Sequence, residues 1–115
     1  MLSERARQAL LDIKDNIAFA RSWTDGRSLA QFAEDRRSFY AVTRCLEIIS
    51  EASRRLPPEL RQRHKEIPWR DIAGAGNVYR HAYDGVQERI VLETVRRALS
   101  DLDAVVDTEL ANAPD

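Results

Sequence analysis

One cysteine, Cys45, stands in the whole chain, which excludes a disulfide framework and leaves no thiolate set for a structural metal. It sits inside the apolar stripe "AVTRCLEII" and is read as core. No apolar run approaches the ~18 residues of a membrane span. The opening "MLSERARQ" lacks the basic-then-apolar layout of a secretory leader, so a cytoplasmic protein with no membrane contact is expected. Glycine and proline number four each, too few for a disordered chain. No stretch alternates apolar and polar residues as a half-buried strand does, and there is no internal repeat or low-complexity tract. Glycine-rich phosphate loops and nucleophile elbows are also absent. The two histidines, His64 and His81, have no second His or Cys at ligand spacing, so neither a metal nor a cofactor is expected.

What the chain has is helical periodicity. Its 115 residues are enough for one domain, 1–115, that buries roughly two-thirds of its unfolded surface. Leu2, Ala6, Leu10, Ile13, Ile17 and Ala20 recur every three or four residues and predict a first long helix to Trp23, with Ser3 as N-cap and "TDGRS" as its stop. A second helix is expected from near Ser28 through Phe39, Val42, Cys45 or Leu46, Ile49 and Ala52 to Leu56, where Pro57 and Pro58 end it. "PPELRQRHKE" reads as a short polar helix with His64 among solvated charges. "IPWRDIAGAGNVYRHAY" follows, anchored by Ile67, Trp69 and Ile72. Val86 to Leu110 forms the last long helix on a stripe of Val91, Val95, Ala98, Leu102 and Val105. Ile90, Leu92 and Leu99 lie beside that stripe as a surplus that suits either core or a dimer face. The class is therefore all-α, a single-domain bundle of three long helices and one or two short ones.

Charge is uneven although the net is −1. Arg54, Arg55, Arg61, Arg63, Lys65 and Arg70 gather against two acids, and five acids with no base run from Asp101 to the end. Such a run of arginines is usually an ordinary solvated face, and it can also serve as a phosphate-attracting patch.

The stretch "GNVYRHAYDGV", residues 76–86, concentrates the chemistry. On a helix Asn77 and His81 share a face and Arg80 lies one turn from Asn77. Histidine exchanges its proton near neutral pH, and arginine offers a planar fork of donors to a phosphate. These are the parts of a metal-free ribonuclease, in which one group moves the proton of a ribose 2′-hydroxyl or leaving oxygen and a cation holds the charge on phosphorus. By residue type alone a histidine such as His81 is more often a hydrogen-bonded structural residue, and tyrosines such as Tyr79 and Tyr83 are more often half-buried packing residues with wet hydroxyls. Gly74 and Gly76 weaken that helix by about 1 kcal/mol each relative to alanine, a cost that suggests a close approach of backbone or ligand.

The order "DRRSFYAVTRCLEIISEASRRLPPELRQRHKEIPWRDIAGAGNVYRHAYDGV" resembles the HepT-like proteins of the HEPN superfamily, small all-helical RNase toxins paired with MntA-type nucleotidyltransferase antitoxins. The likeness covers nearly the whole chain. In that family the catalytic motif is an arginine, usually followed by asparagine, with a histidine five positions after the arginine and a tyrosine two beyond it. The asparagine is Asn77, the histidine His81 and the tyrosine Tyr83, while the arginine position holds Gly76. The resemblance implies a homodimeric, metal-independent endoribonuclease with His81, Asn77 and, in place of the missing arginine, Arg80 as site residues. It also implies a nucleotidyltransferase partner that transfers AMP to Tyr83. The departure at Gly76 equally allows a degenerate dimeric module that binds the nucleotidyltransferase without cutting RNA.

Overall fold

The computed structural model describes the backbone of residues 2–80 and 85–112 and the side chains of residues 2–75 and 88–112. His81 and Tyr83 fall outside the described residues, as do the side chains of Asn77 and Arg80. In chain order the helices are α1 (Glu4–Thr24), α2 (Leu29–Glu34), α3 (Arg36–Arg54), α4 (Pro58–Arg63), α5 (Trp69–Arg80), α6 (Gly85–Glu93), a π-helical turn (Thr94–Ala98) and α7 (Leu99–Ala111). There is no strand among the described residues, and the all-α bundle expected from periodicity is the one observed. None of its described helices is long and apolar enough to cross a membrane.

α1 starts as its sequence dictates, with the Ser3 hydroxyl accepting the Ala6 amide at 3.0 Å. It buries Ala9, Leu10, Ile13, Ile17 and Ala20 on one face and stops at Gly26, whose φ of +76° is open to glycine at no steric cost. The single helix expected from Ser28 to Leu56 is instead two, α2 and α3, broken at Asp35. That residue takes an extended backbone, φ −90° and ψ 91°, and its carboxylate caps the Ser38 amide. Asp35 also accepts from the Ser38 hydroxyl at 2.7 Å and Arg27 at 3.0 Å. A short polar residue that satisfies the free amides of a new helix outcompetes continuation of the old one. The fold thus has three short helices, α2, α4 and α5, among the described residues, more than the periodicity indicated.

One core unites the bundle, built from α1, α3, α7 and the helices between. Phe32 and Phe39 meet at its centre with ring centroids 6.0 Å apart, and each fully buried side chain of this size contributes about 1.5–3 kcal/mol. Cys45 belongs to this core, and burial pushes its thiol pKa up.

Residues 85–111 form one continuous rod interrupted by the π turn. The stripe expected along it shifts at that turn: Ala98 is exposed, and Leu99 takes its place in the core between Val95 and Leu102. A π turn inserts one residue into the helical cycle, so four residues instead of three separate successive core positions. Leu99, read as surplus, is therefore buried; Leu92, ahead of the turn, is buried beside Val91, and only Ile90 of the three is exposed.

The acidic C-terminal segment is largely tied to other helices. Asp103 and Asp107 bind Lys14 at 3.3 and 2.7 Å, and Asp103 also binds Arg21 at 3.0 Å. Glu109, only 8% exposed, accepts from Arg63 at 2.7 Å and lies 2.6 Å from the His64 Nε2. His64 is therefore not a freely solvated residue: its ring and Arg63 clamp the C-terminal end of α4 onto α7.

Candidate functional site

Two hydrogen bonds tie α5 to α3, and one ion pair ties α6 to it. The Ala73 carbonyl accepts from the Ser50 hydroxyl and from Arg54, both at 2.9 Å. At the other end of α3, Glu88 of α6 accepts from Arg36 at 3.1 Å. Ala73 of α5 thus lies against the C-terminal third of α3, and Glu88 of α6 against its first turn.

The backbone of α5 carries Asn77 and Arg80, three apart and so on one side of the helix about one turn apart. His81 and Tyr83 follow in the sequence and lie outside the described residues. Gly74 is exposed, and a Cβ built on it would meet nothing within 4 Å. The expectation that a protein backbone crowds this position is corrected: the space above Gly74 is open.

Glu88 is 4% exposed, and a buried carboxylate requires a partner. Arg36 supplies it, and the neighbouring carboxylate holds the guanidinium pKa above its ordinary value. The same guanidinium lies 4.5 Å from the ring centre of Phe39 and 5.3 Å from that of Tyr40. Tyr40, 63% exposed, is set edge-on to Phe39 at 5.8 Å.

The six cations of the basic cluster do not share one role. Arg55 binds Asp12 of α1 at 2.8 Å, Arg63 binds Glu109, and Arg54 is spent on the Ala73 carbonyl. Arg61, Lys65 and Arg70 make no ion pair among the described residues. Arg61 and Lys65 line an open groove of about 370 Å³ with Pro58, Gln62 and Trp69. Trp69 is fixed there by its indole N–H, which donates to the Arg61 and His64 carbonyls at 3.1 and 2.9 Å. Sequence reasoning passed over Arg36 and Tyr40, which stand together on α3 beside Glu88 of α6. Their signal was present in the three-and-four spacing of the polar face of α3.

Comparison with known proteins gives this geometry its context. The family described as Ribonuclease HepT-like matches residues 13–109. A probable ribonuclease HepT of Thermococcus cleftensis is 37% identical over 93 residues, 81% of this chain and 84% of that protein. A protein of Caldanaerobacter subterraneus subsp. tengcongensis, named "Putative RNase", is 40% identical over 81 residues, 70% of this chain and 72% of its own length. No solved structure matches the chain.

Proposed function

The chain belongs to the HepT-like ribonuclease family, and on that premise we propose that it is a metal-independent endoribonuclease whose chemistry centres on His81. The family match over residues 13–109 carries the ribonuclease reading, and the choice of Asn77, His81 and Tyr83 within that segment rests on the motif resemblance. The ribose 2′-hydroxyl attacks the adjacent phosphorus, the P–O5′ bond breaks, and one proton leaves the attacking oxygen while another reaches the departing one. His81 is the group able to move such a proton near neutral pH. Arg80, one turn from Asn77, is the cation closest in sequence to His81 and takes the phosphate role that Gly76 leaves empty. Asn77 orients the histidine or the RNA. Arg61, Lys65 and Arg70, which make no ion pair among the described residues, draw RNA to the same molecule through salt-sensitive contacts.

His81→Ala tests the reading. General acid and base help is worth ~10²–10⁴ in rate, so this variant should show no detectable cleavage of an RNA pool that the parent degrades. Equal cleavage by parent and variant would remove His81 from the mechanism.

The reading extends to biology. The protein acts as the toxin of a toxin–antitoxin pair, working as a homodimer, and a nucleotidyltransferase antitoxin of the MntA type neutralises it by transferring AMP to Tyr83. Bulky negative charge two residues from His81 would repel an RNA phosphate. Incubation with the partner and ATP should increase the mass of the parent but leave Tyr83→Phe unchanged, and equal modification of both would place the AMP elsewhere.

Gly76 favours a second reading, a dimeric module that binds the nucleotidyltransferase without cutting RNA. Gly76→Arg separates the two. Cleavage that arises only on restoring the arginine identifies the natural chain as a non-cutting module, whereas comparable cleavage before and after assigns the phosphate role to another cation.

A further inference from the structure

We propose that the cleft between α2 and the π turn binds a terminal phosphate monoester, with Arg89, Arg96 and Arg97 on the phosphate and the body of the ester over Leu29 and Leu92. The site uses none of the residues assigned to the ribonuclease chemistry and stands independently of that reading.

Shape is the first argument. The cleft encloses about 350 Å³ and is lined by Leu29 of α2, by Arg89, Leu92 and Glu93 of α6, and by Arg96 and Arg97 of the π turn. That volume falls within the roughly 300–1,000 Å³ of small-molecule sites. Leu92 is only 3% exposed, so it gives the cleft an apolar floor beneath charged walls. On an unbroken α-helix Arg97 would stand about 80° round from Arg89. The additional residue taken up by the π turn brings Arg97 back toward the Arg89 line, and turns of this kind recur at functional sites.

The second argument is the state of the cations. Arginines elsewhere in the molecule are matched to carboxylates, Arg21 to Asp103, Arg55 to Asp12 and Arg63 to Glu109. Arg89, Arg96 and Arg97 make no ion pair among the described residues, although all three are exposed at one cleft. Gathering like charges without partners is unfavourable, and an anionic ligand relieves it. Arg96 is already positioned, because its guanidinium donates to the Arg27 carbonyl and Arg27 is itself held by Asp35 and Ser38. An arginine carries five N–H donors, so that bond leaves others to meet a ligand.

Charge selects the ligand. A terminal phosphate carries about −1.5 to −2 near neutral pH and presents three strong acceptor oxygens, whereas a diester inside a strand carries a single charge. Guanidinium forks match the terminal group best, since each can meet two of its oxygens at once. Glu93, the one acid on the cleft wall, repels phosphate and therefore stands beside the body of the ester, where its carboxylate accepts from a hydroxyl. Leu29 and Leu92 take the apolar face of that body. A ribose 5-phosphate unit has all of these parts, and it occurs both as a free small ester and at the 5′ end of an RNA strand.

Titration calorimetry of the parent with ribose 5-phosphate tests the site, with ribose and inorganic phosphate as comparisons. Ribose 5-phosphate should bind and ribose should not, and Arg89→Ala and Arg97→Ala should each weaken binding roughly ten- to a hundredfold. Arg5→Ala, which removes an exposed arginine of α1, should change nothing. Glu93→Ala should narrow the preference for ribose 5-phosphate over inorganic phosphate, and an unchanged preference removes the hydroxyl contact. Competing oligoribonucleotides, added to the His81→Ala chain, separate the two sources of the group. Displacement by a 5′-phosphorylated strand but not by its 5′-hydroxyl counterpart assigns the cleft to a strand end, and displacement by neither assigns it to a free ester. Equal displacement by both strands, parent-like binding by Arg89→Ala and Arg97→Ala, or no binding of ribose 5-phosphate by the parent overturns the proposal. RNA cut by a chain that does not bind ribose 5-phosphate leaves the ribonuclease reading intact.

Discussion

Glu109 illustrates how a single residue can be misread from its neighbours in sequence. It belongs to an acidic run, yet it is buried against Arg63 and His64, and the Arg63 hydrogen bonds hold its carboxyl below the ordinary carboxylate range. A carboxyl with a lowered folded pKa adds stability that is complete above its unfolded value and is lost as the pH falls through the folded one. Glu109→Gln should therefore cost about 1–3 kcal/mol near neutrality, and urea titrations of parent and variant should converge as the pH falls below the ordinary carboxylate range. Gly74 offers the opposite change. Its helical position is exposed with room for a Cβ, so Gly74→Ala should raise stability by up to about 1 kcal/mol. If RNA needs the open space above α5, the same variant will lose cleavage while gaining Tm.

The division between α2 and α3 depends on Asp35. The Ser38 hydroxyl and then the Arg27 guanidinium bring its pKa to about 2, so its capping charge is complete above its ordinary value and is lost only as the pH falls toward 2. Asp35→Ala removes the cap of α3 and the anchor of Arg27 together, and thermal unfolding should begin roughly 3–8 °C lower. Asp35→Asn, which keeps an acceptor for the Ser38 amide, should recover part of that loss. An unchanged Tm in Asp35→Ala would show that packing of Phe32 and Phe39 alone sets the break.

The elements also show what was legible. The stripes of α1 and α3 repeat every three or four residues and directly marked their buried faces. The α2–α3 break escaped because an aspartate fits the polar side of a continuing helix as well as it caps a new one. Ala98 and Leu99 are both apolar, so periodicity could not tell a three-residue step from a four-residue one, and the π turn settled it. Asn77, Arg80, His81 and Tyr83 were named from residue type, spacing and the family resemblance, and His81 and Tyr83 lie outside the described residues. The Tyr40 face stayed hidden because its meaning comes from Glu88, a partner distant in sequence that no local pattern connects to Arg36.

Across the whole molecule, the net charge of −1 gives RNA no general attraction, so affinity must come from local cations. Internal pairing removes Arg55 and Arg63 from that supply, which leaves the groove of Arg61 and Lys65 as the stronger part of the basic cluster. The double change Arg61→Ala, Lys65→Ala should flatten the log–log salt dependence of RNA binding by about 1.4, at roughly 0.7 per phosphate contact. A slope that does not move would place the RNA entirely away from that groove.

The burial of Cys45 has a practical corollary. A thiol enclosed in the core and held in its protonated form reacts slowly with alkylating reagents, so the native chain is a silent background for labelling. A cysteine engineered at position 37, on the exposed edge of α3, would then be the one site to take a maleimide dye, and its emission would report in real time when a nucleic acid strand arrives and departs.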